Sequence, residues 1–274
     1  MTHIVFPSVF LIAETRLVGA PSDPAPQPRG WTQLLKKWGV PGWEVRGAKS
    51  DAEALIELAG KSCYMSFDVS LNKNLTRTGT RENQEYIQEQ IVKTGHGSVL
   101  EHAYVTFAFV NVSRILTHEQ VRHRHANYSQ TSGRYVRSDD IRYFLPTEFV
   151  NDPVAADMVK AAFIHQEEMA RKLAQHFGLD NEKDFNRKKR VTSAIRRIIG
   201  NGQANHIIVT ANHRALRNML QARTSPGAEE EIRKVWNLVW YLLRDRYSAI
   251  YADGYEFHDA NGSLFEVRFR NPKV

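Results

Sequence analysis

The spacing of apolar residues changes several times along the chain, and each change marks an element. "DAEALIELAGKSCY" (51–64) places apolar side chains at helical spacing behind Asp51, a good cap, and Gly60 can end it. "NQEYIQEQIVKTG" (83–95) is a further helix, with Gly95 as its stop. The period then shortens. "YVTFAFVNV" (104–112) is β-branched and aromatic without a breaker, so it reads as a buried strand. Ser113 can cap the helix "RILTHEQVRHRHA", and "YSQTSGRYV" after it is a loop by composition. "IRYFLP" and "HIIVTA" are short strands. Asp152-Pro153 opens a helix that runs to about Gly178, and "EKDFNRKKRVTSAIRRII" is a basic helix. Asn212 can cap "HRALRNMLQAR". A long last helix, "GAEEEIRKVWNLVWYLLRDRYSAIYA", carries Ile232, Val235, Trp236, Val239, Leu243 and Tyr247 on one stripe.

Ahead of these lie "HIVFPSVFLIAE", a strand or hairpin, and the short helix "WTQLLKKWG". Between them "GAPSDPAPQPRG" (19–30) reads as a loop, as does "SLNKNLTRTGTREN" (70–83). The pattern predicts a mixed α and β fold: one main domain over residues 51–274, with 1–50 as an appendage.

Composition narrows the class. With 42% hydrophobic and 24% charged residues the chain reads as an ordinary soluble globular protein, and its net charge of +7 favours anionic ligands. One cysteine, Cys63, excludes a disulfide framework or a cysteine-rich zinc site. The N-terminus lacks a basic leader and no apolar run is long enough to span a bilayer, so the expectation is a cytoplasmic protein off the membrane. Walker, G-x-G-x-x-G and G-x-S-x-G motifs are absent, and Cys63 reads as a packed small side chain.

Two groups of donors carry the chemistry. "RHRHANYSQTSGRY" (122–135) mixes arginines with short hydroxyl donors and a glycine. Nucleic acid would call for more lysines and exposed aromatics, so the mixture favours a compact anion pocket over a nucleic-acid face or a solvated surface. Arg196, Asn212, Arg214, Asn218 and Arg223 form the second group, with 214 and 218 one helical turn apart. That face calls for a polar ligand, or for ion pairs to the glutamates at 229–231. In "GHGSVLEH" (95–102), His96, Glu101 and His102 fit a metal site poorly; a hydrogen-bonded structural role, with Glu101 paired to an arginine, is the reading of these residues alone.

In combination the segments resemble the flavin-dependent thymidylate synthases, the ThyX family. Arg122-His123-Arg124 followed by Ser132 and "SGRY" is similar to that family's signature. "GKSCY", "GHGSVLEH", "NHRALRNMLQAR" and "EIR" match further blocks of it in order. The resemblance implies an α+β fold with a central sheet flanked by helices. It implies a homotetramer whose active sites lie at subunit interfaces, with no nucleic-acid partner and no metal. The activity it implies is reductive methylation of dUMP to dTMP by FAD, NADPH and methylenetetrahydrofolate. Carried over by position, Ser98, Glu101, Arg122, His123, Arg124, Asn212, Arg214 and Asn218 would hold FAD. Glu119, Gln130, Ser132, Gly133, Arg134, Arg196 and Arg223 would hold the nucleotide, and Arg223 would act catalytically against the pyrimidine.

The match has departures. Glu119 stands where the family has Gln, and Ser129-Gln130 replace its N-E. Gly227 and Glu229 replace a His and a Gln, and Ile199-Gly200 replace L-P. These changes leave UMP or another pyrimidine nucleotide open as substrate; the alternative from another class is a non-catalytic, basic nucleic-acid-binding protein.

Overall fold

The computed structural model describes residues 4–21, 23–24, 29–67, 81–260 and 262–274. In chain order its strands and α-helices are β1 (Ser8–Glu14), α1 (Trp31–Lys37), α2 (Asp51–Tyr64), α3 (Asn83–Tyr86), β2 (Tyr104–Ser113), α4 (Arg114–Gln120), β3 (Ala126–Gln130), α5 (Thr147–Val150), α6 (Pro153–His176), α7 (Phe185–Ile195), β4 (Ala204–Asn212), α8 (His213–Thr224), α9 (Glu230–Arg246), α10 (Ser248–Tyr251), β5 (Gly254–His258) and β6 (Phe265–Phe269). A π-helix, Ile87–Val92, continues α3, and 3-10 turns cover Gly97–His102 and Arg196–Ile198. One four-stranded sheet has the order β1-β2-β4-β3, and β5-β6 is an antiparallel hairpin with Glu256 opposite Val267. The predicted loop at 70–83 lies largely outside the described residues, as does part of 19–30.

The chain forms two compact units. The first comprises residues 1–10, 108–209 and 229–235; the second comprises 11–107, 210–228 and 236–274. In the first, Ala170, Ala174, Leu179 and Ile195 of α6 and α7 make a small core. Asp152 caps α6 as its position ahead of Pro153 predicts, accepting the N–H groups of Val154 and Ala155. "IRYFLP" forms no full strand, because Tyr143 makes only isolated bridges to Ile4 and Gln203.

In the second unit, residues 31–45 pack on α2: Leu35, Val40, Trp43, Leu58 and Phe67 form one cluster, with Trp31 stacked on Trp43 at 5.9 Å. Ser50 rather than Asp51 caps α2, and the Asp51 carboxylate takes the Leu17 N–H at 2.8 Å. Gly60 does not end that helix. A Cβ there would lie 2.7 Å from the Tyr86 hydroxyl, so the glycine serves close packing. The predicted stripe of α9 is fully buried at Ile232 and Val235 in the first unit and at Trp236, Val239, Leu243 and Tyr247 in the second.

Arg217 is the largest charged group in the second core, with no exposure. Its guanidinium donates to both Asp253 carboxylate oxygens (2.7 and 2.9 Å) and to the Ile250 carbonyl (2.9 Å), and its Cζ lies 3.9 Å from the Phe269 ring centroid. Every charge is paired there, which is the condition for burying one. The hairpin that supplies Phe269 lies beyond the last element the pattern predicts.

Candidate active site

In the first unit, α4 begins at a well-made cap. The Ser113 hydroxyl accepts the Leu116 N–H at 3.0 Å, and the buried Glu231 carboxylate accepts the Ser113 N–H at 2.7 Å and its hydroxyl proton. Burial pushes the Glu231 pKa up to about 7, against the opposing pull of Ser113. Arg114 follows as the first helical residue. Its N–H bonds the Gln203 carbonyl at 3.2 Å and its Nη2 the Thr131 carbonyl at 3.3 Å.

Gly133 sits against two arginines: a Cβ on it would lie 3.4 Å from Arg114 Nη2 and 3.5 Å from Arg196 Cδ. Neither arginine makes an ion pair among the described residues, and burial together with the Arg196 charge lowers the Arg114 pKa. The Ser132 hydroxyl accepts the Arg134 N–H at 3.3 Å. Two cations beside a serine and a glycine, neither in an ion pair among the described residues, have the chemistry to receive an anion. Arg114 also lines a cleft of about 260 Å³ with Gly133, Arg137, Asp140, Arg142 and His206, in which Asp140 bonds Arg142.

The cationic run is not helical as predicted. Helix α4 stops at Gln120, Arg122 to His125 lie in turns, and β3 takes up part of the expected loop. The turn is anchored by Tyr128, which donates to the His123 carbonyl at 2.8 Å. Gln130 reaches back to the Thr117 hydroxyl at 2.8 Å, while Arg122, Arg124 and Arg134 stand exposed. Beside Arg134, the Lys189 ammonium lies 4.7 Å from the exposed Tyr135 ring centroid, and its hydrogen bond draws the phenol pKa down.

The remaining candidates are in the second unit. Ser98 and Glu101 lie exposed on the 3-10 turn, and Glu101 pairs with Arg214 at 2.6 Å, as the sequence reading of Glu101 expects. Asn212 spends its amide oxygen on capping α8, accepting the Ala215 N–H at 2.8 Å. Asn218 is exposed and Arg223 half-buried in the last turn of α8. Ser98, His96, Tyr64, Tyr86 and Lys61 line a cavity of about 370 Å³. Cys63 lines it too and is exposed rather than packed as its sequence context suggested. Among the described residues no three His, Cys, Asp or Glu side chains cluster as a metal would require, and no helix is long and apolar enough to cross a membrane.

Residues 45–247 match the family model of the thymidylate synthase complementing protein. The chain belongs to this family. Among its relatives is a flavin-dependent thymidylate synthase of Mycobacterium avium, 37% identical over 73% of this chain and 78% of that one. Another, from Corynebacterium aurimucosum, is 36% identical over 77% and 83% of the two chains. Two solved structures share the fold. Thymidylate Synthase X (ThyX) from Helicobacter pylori, crystallised with FAD and dUMP, aligns with a TM-score of 0.54 at 23% identity over 73% of this chain and 93% of that one. The UMP/dUMP methylase PolB from Streptomyces cacaoi, bound with 5-Br dUMP, aligns at 0.61 and 13% identity over 91% and 95%.

Two of the glutamates singled out above, Glu119 and Glu229, act on each other. Glu229 carries a raised pKa, first from burial and in part from the charges of Glu119 and Glu230. It is held ionisable by the N–H groups of Glu231 and Ile232, which its carboxylate caps. Of the other glutamates, Glu230 binds Thr147 and Lys234, and Glu231 holds Ser113. Sequence reasoning passed over Arg114. A signal existed, because a cation in the first turn of a helix opposes the helix dipole and requires another reason to be there.

Proposed function

We propose that this protein is a flavin-dependent thymidylate synthase that methylates dUMP at C5 to give dTMP, with FAD as coenzyme, methylenetetrahydrofolate as one-carbon donor and NADPH as reductant. The observation that carries this reading, beyond family membership, is that Arg114 and Arg196 both lie against Gly133 and neither makes an ion pair among the described residues, while Asp140 in the same cleft bonds Arg142. A phosphate dianion satisfies both cations at once. Ser132, Gly133 and Arg134 complete that subsite. Arg223 sets a fixed cation against the pyrimidine, where it stabilises charge developing on the ring during substitution at C5. Glu119 and Gln130 contribute to seating the nucleotide.

The donor set fits FAD. Arg122 and Arg124 are exposed and make no ion pair among the described residues, which suits a diphosphate. His123, Ser98, Glu101, Asn212, Arg214 and Asn218 offer the mixed donors and acceptors that a flavin ring and its ribityl chain require. When bound, FAD supplies the hydride and carries the one-carbon unit, so the protein's part is binding, orientation and electrostatics. Cys63 takes no role as nucleophile.

The reading extends to assembly: a cytoplasmic homotetramer with active sites at subunit interfaces, the catalytic domain in residues 51–274 and an N-terminal extension before it. Purified protein is expected to be yellow, to bleach with NADPH, and to convert dUMP to dTMP when folate and NADPH are present. Running UMP in parallel settles the nucleotide. Protein that takes up no FAD, or that forms no methylated product from either nucleotide, refutes the proposal.

A further inference from the structure

Serine alone makes an adequate helix cap. Here a carboxylate is buried to hold that serine in turn: Glu231, in the first turn of α9, is only 2% exposed. One oxygen takes the Ser113 N–H at 2.7 Å and the other its hydroxyl proton, while the Ser113 oxygen takes the Leu116 N–H at 3.0 Å. Burying an ionisable group costs more than a neutral cap would. The groups that face Glu231 do little to offset this, since Glu229 opposes its ionisation and Lys234, which is bonded to Glu230, favours it. What the arrangement adds is a fixed backbone at residue 113. The next residue is Arg114, tethered on its other sides by the carbonyls of Gln203 and Thr131. Three anchors, from α9, the residue ahead of β4 and the 131 loop, thus converge on one arginine whose guanidinium makes no ion pair among the described residues.

We infer that Glu231 is a positioning residue: acting through Ser113, it fixes the point at which Arg114 enters the anion subsite, and so sets the affinity for the nucleotide phosphate. This rests on the function proposed above. Glutamine at 231 retains an acceptor for the Ser113 N–H but turns a donor toward the hydroxyl, which loosens the grip without emptying the space.

The test measures dUMP binding to the FAD-loaded protein by calorimetry for wild type, Glu231→Gln, Arg114→Gln and the double variant. Deoxyuridine, which lacks the phosphate, serves as control. Glu231→Gln is expected to weaken dUMP about tenfold, the worth of one charge-assisted hydrogen bond, and to leave deoxyuridine unchanged within about twofold. In the Arg114→Gln background the same change is expected to add less than about twofold, because both substitutions remove one interaction. Wild-type affinity in Glu231→Gln, full additivity in the double variant, or an equal loss for deoxyuridine overturns the inference. Should Glu231→Gln fail to fold by circular dichroism, Ser113→Ala carries the same comparison. Absence of dUMP binding by wild type instead overturns the functional proposal itself.

Discussion

His213 gives the sharpest test of the second unit's core. The ring is fully buried, its Nδ1 lies 3.0 Å from the Tyr251 hydroxyl, and Tyr247 packs edge-on at 4.6 Å. Its Nε2 has no hydrogen-bond partner among the described residues. Burial brings its pKa from the ordinary 6.5 down to about 3, with the Glu14 charge opposing. Glu14 is itself engaged by Arg246 and by the Tyr247 hydroxyl at 2.5 Å, so it cannot serve as an open counter-ion. The folded state therefore binds no proton at 213 until far below neutrality, whereas the unfolded chain binds one below pH 6.5. Stability from this group is complete above pH 6.5 and is lost as pH falls toward 3. At pH 4.5, two units below the unfolded value, the loss is on the order of 3 kcal/mol.

The assay is urea unfolding of wild type and His213→Gln at pH 7.5 and pH 4.5, followed by tryptophan fluorescence. Glutamine does not titrate and still offers a hydrogen bond to Tyr251. Wild type is expected to lose roughly 3 kcal/mol more than the variant between the two pH values. Parallel losses, within about 0.5 kcal/mol, would show that the ring is protonated in the fold or reached by water, and the argument from burial would fail.

Four other outcomes follow from the same structure. Arg217→Met leaves Asp253 buried without its partner and is expected to destabilise by about 3–5 kcal/mol in urea melts, with part of the loss recovered by adding Asp253→Leu. Gly60→Ala drives a methyl to within 2.7 Å of the Tyr86 hydroxyl and is expected to cost about 1–3 kcal/mol by thermal unfolding. Ser132→Ala is expected to raise KM for dUMP by about tenfold with kcat nearly kept, as one hydrogen bond to phosphate is removed and no serine nucleophile is involved. Arg223→Ala is expected to keep its flavin absorbance while kcat falls by about a hundredfold or more in the product assay.

Local physics made much of this protein legible before any coordinates. The caps at Ser113, Asp152 and Asn212, the strand at 104–112 and the apolar stripe of α9 all depend on neighbours within a turn or two, and each forms as expected. The family signature lies in short blocks for the same reason. What failed did so where a distant contact overruled a local preference. Gly60 stays helical because Tyr86 needs its space, and the cationic run leaves its helix because β3 is drawn into the sheet beside β4.

The anion subsite shows the division most clearly. Ser132, Gly133 and Arg134 are contiguous, and their chemistry announces itself. Arg114 lies nineteen residues away from Gly133 and Arg196 sixty-three, by their positions in the chain. Only folding brings the Arg114 guanidinium and the Arg196 side chain against one glycine, and only folding buries Glu231 against Ser113. Sequence determines which charges the chain carries and how each segment coils. Whether a charge keeps its counter-ion, loses it to a ligand site or is spent on holding a neighbour depends on which segments meet, and desolvation at that meeting decides its strength.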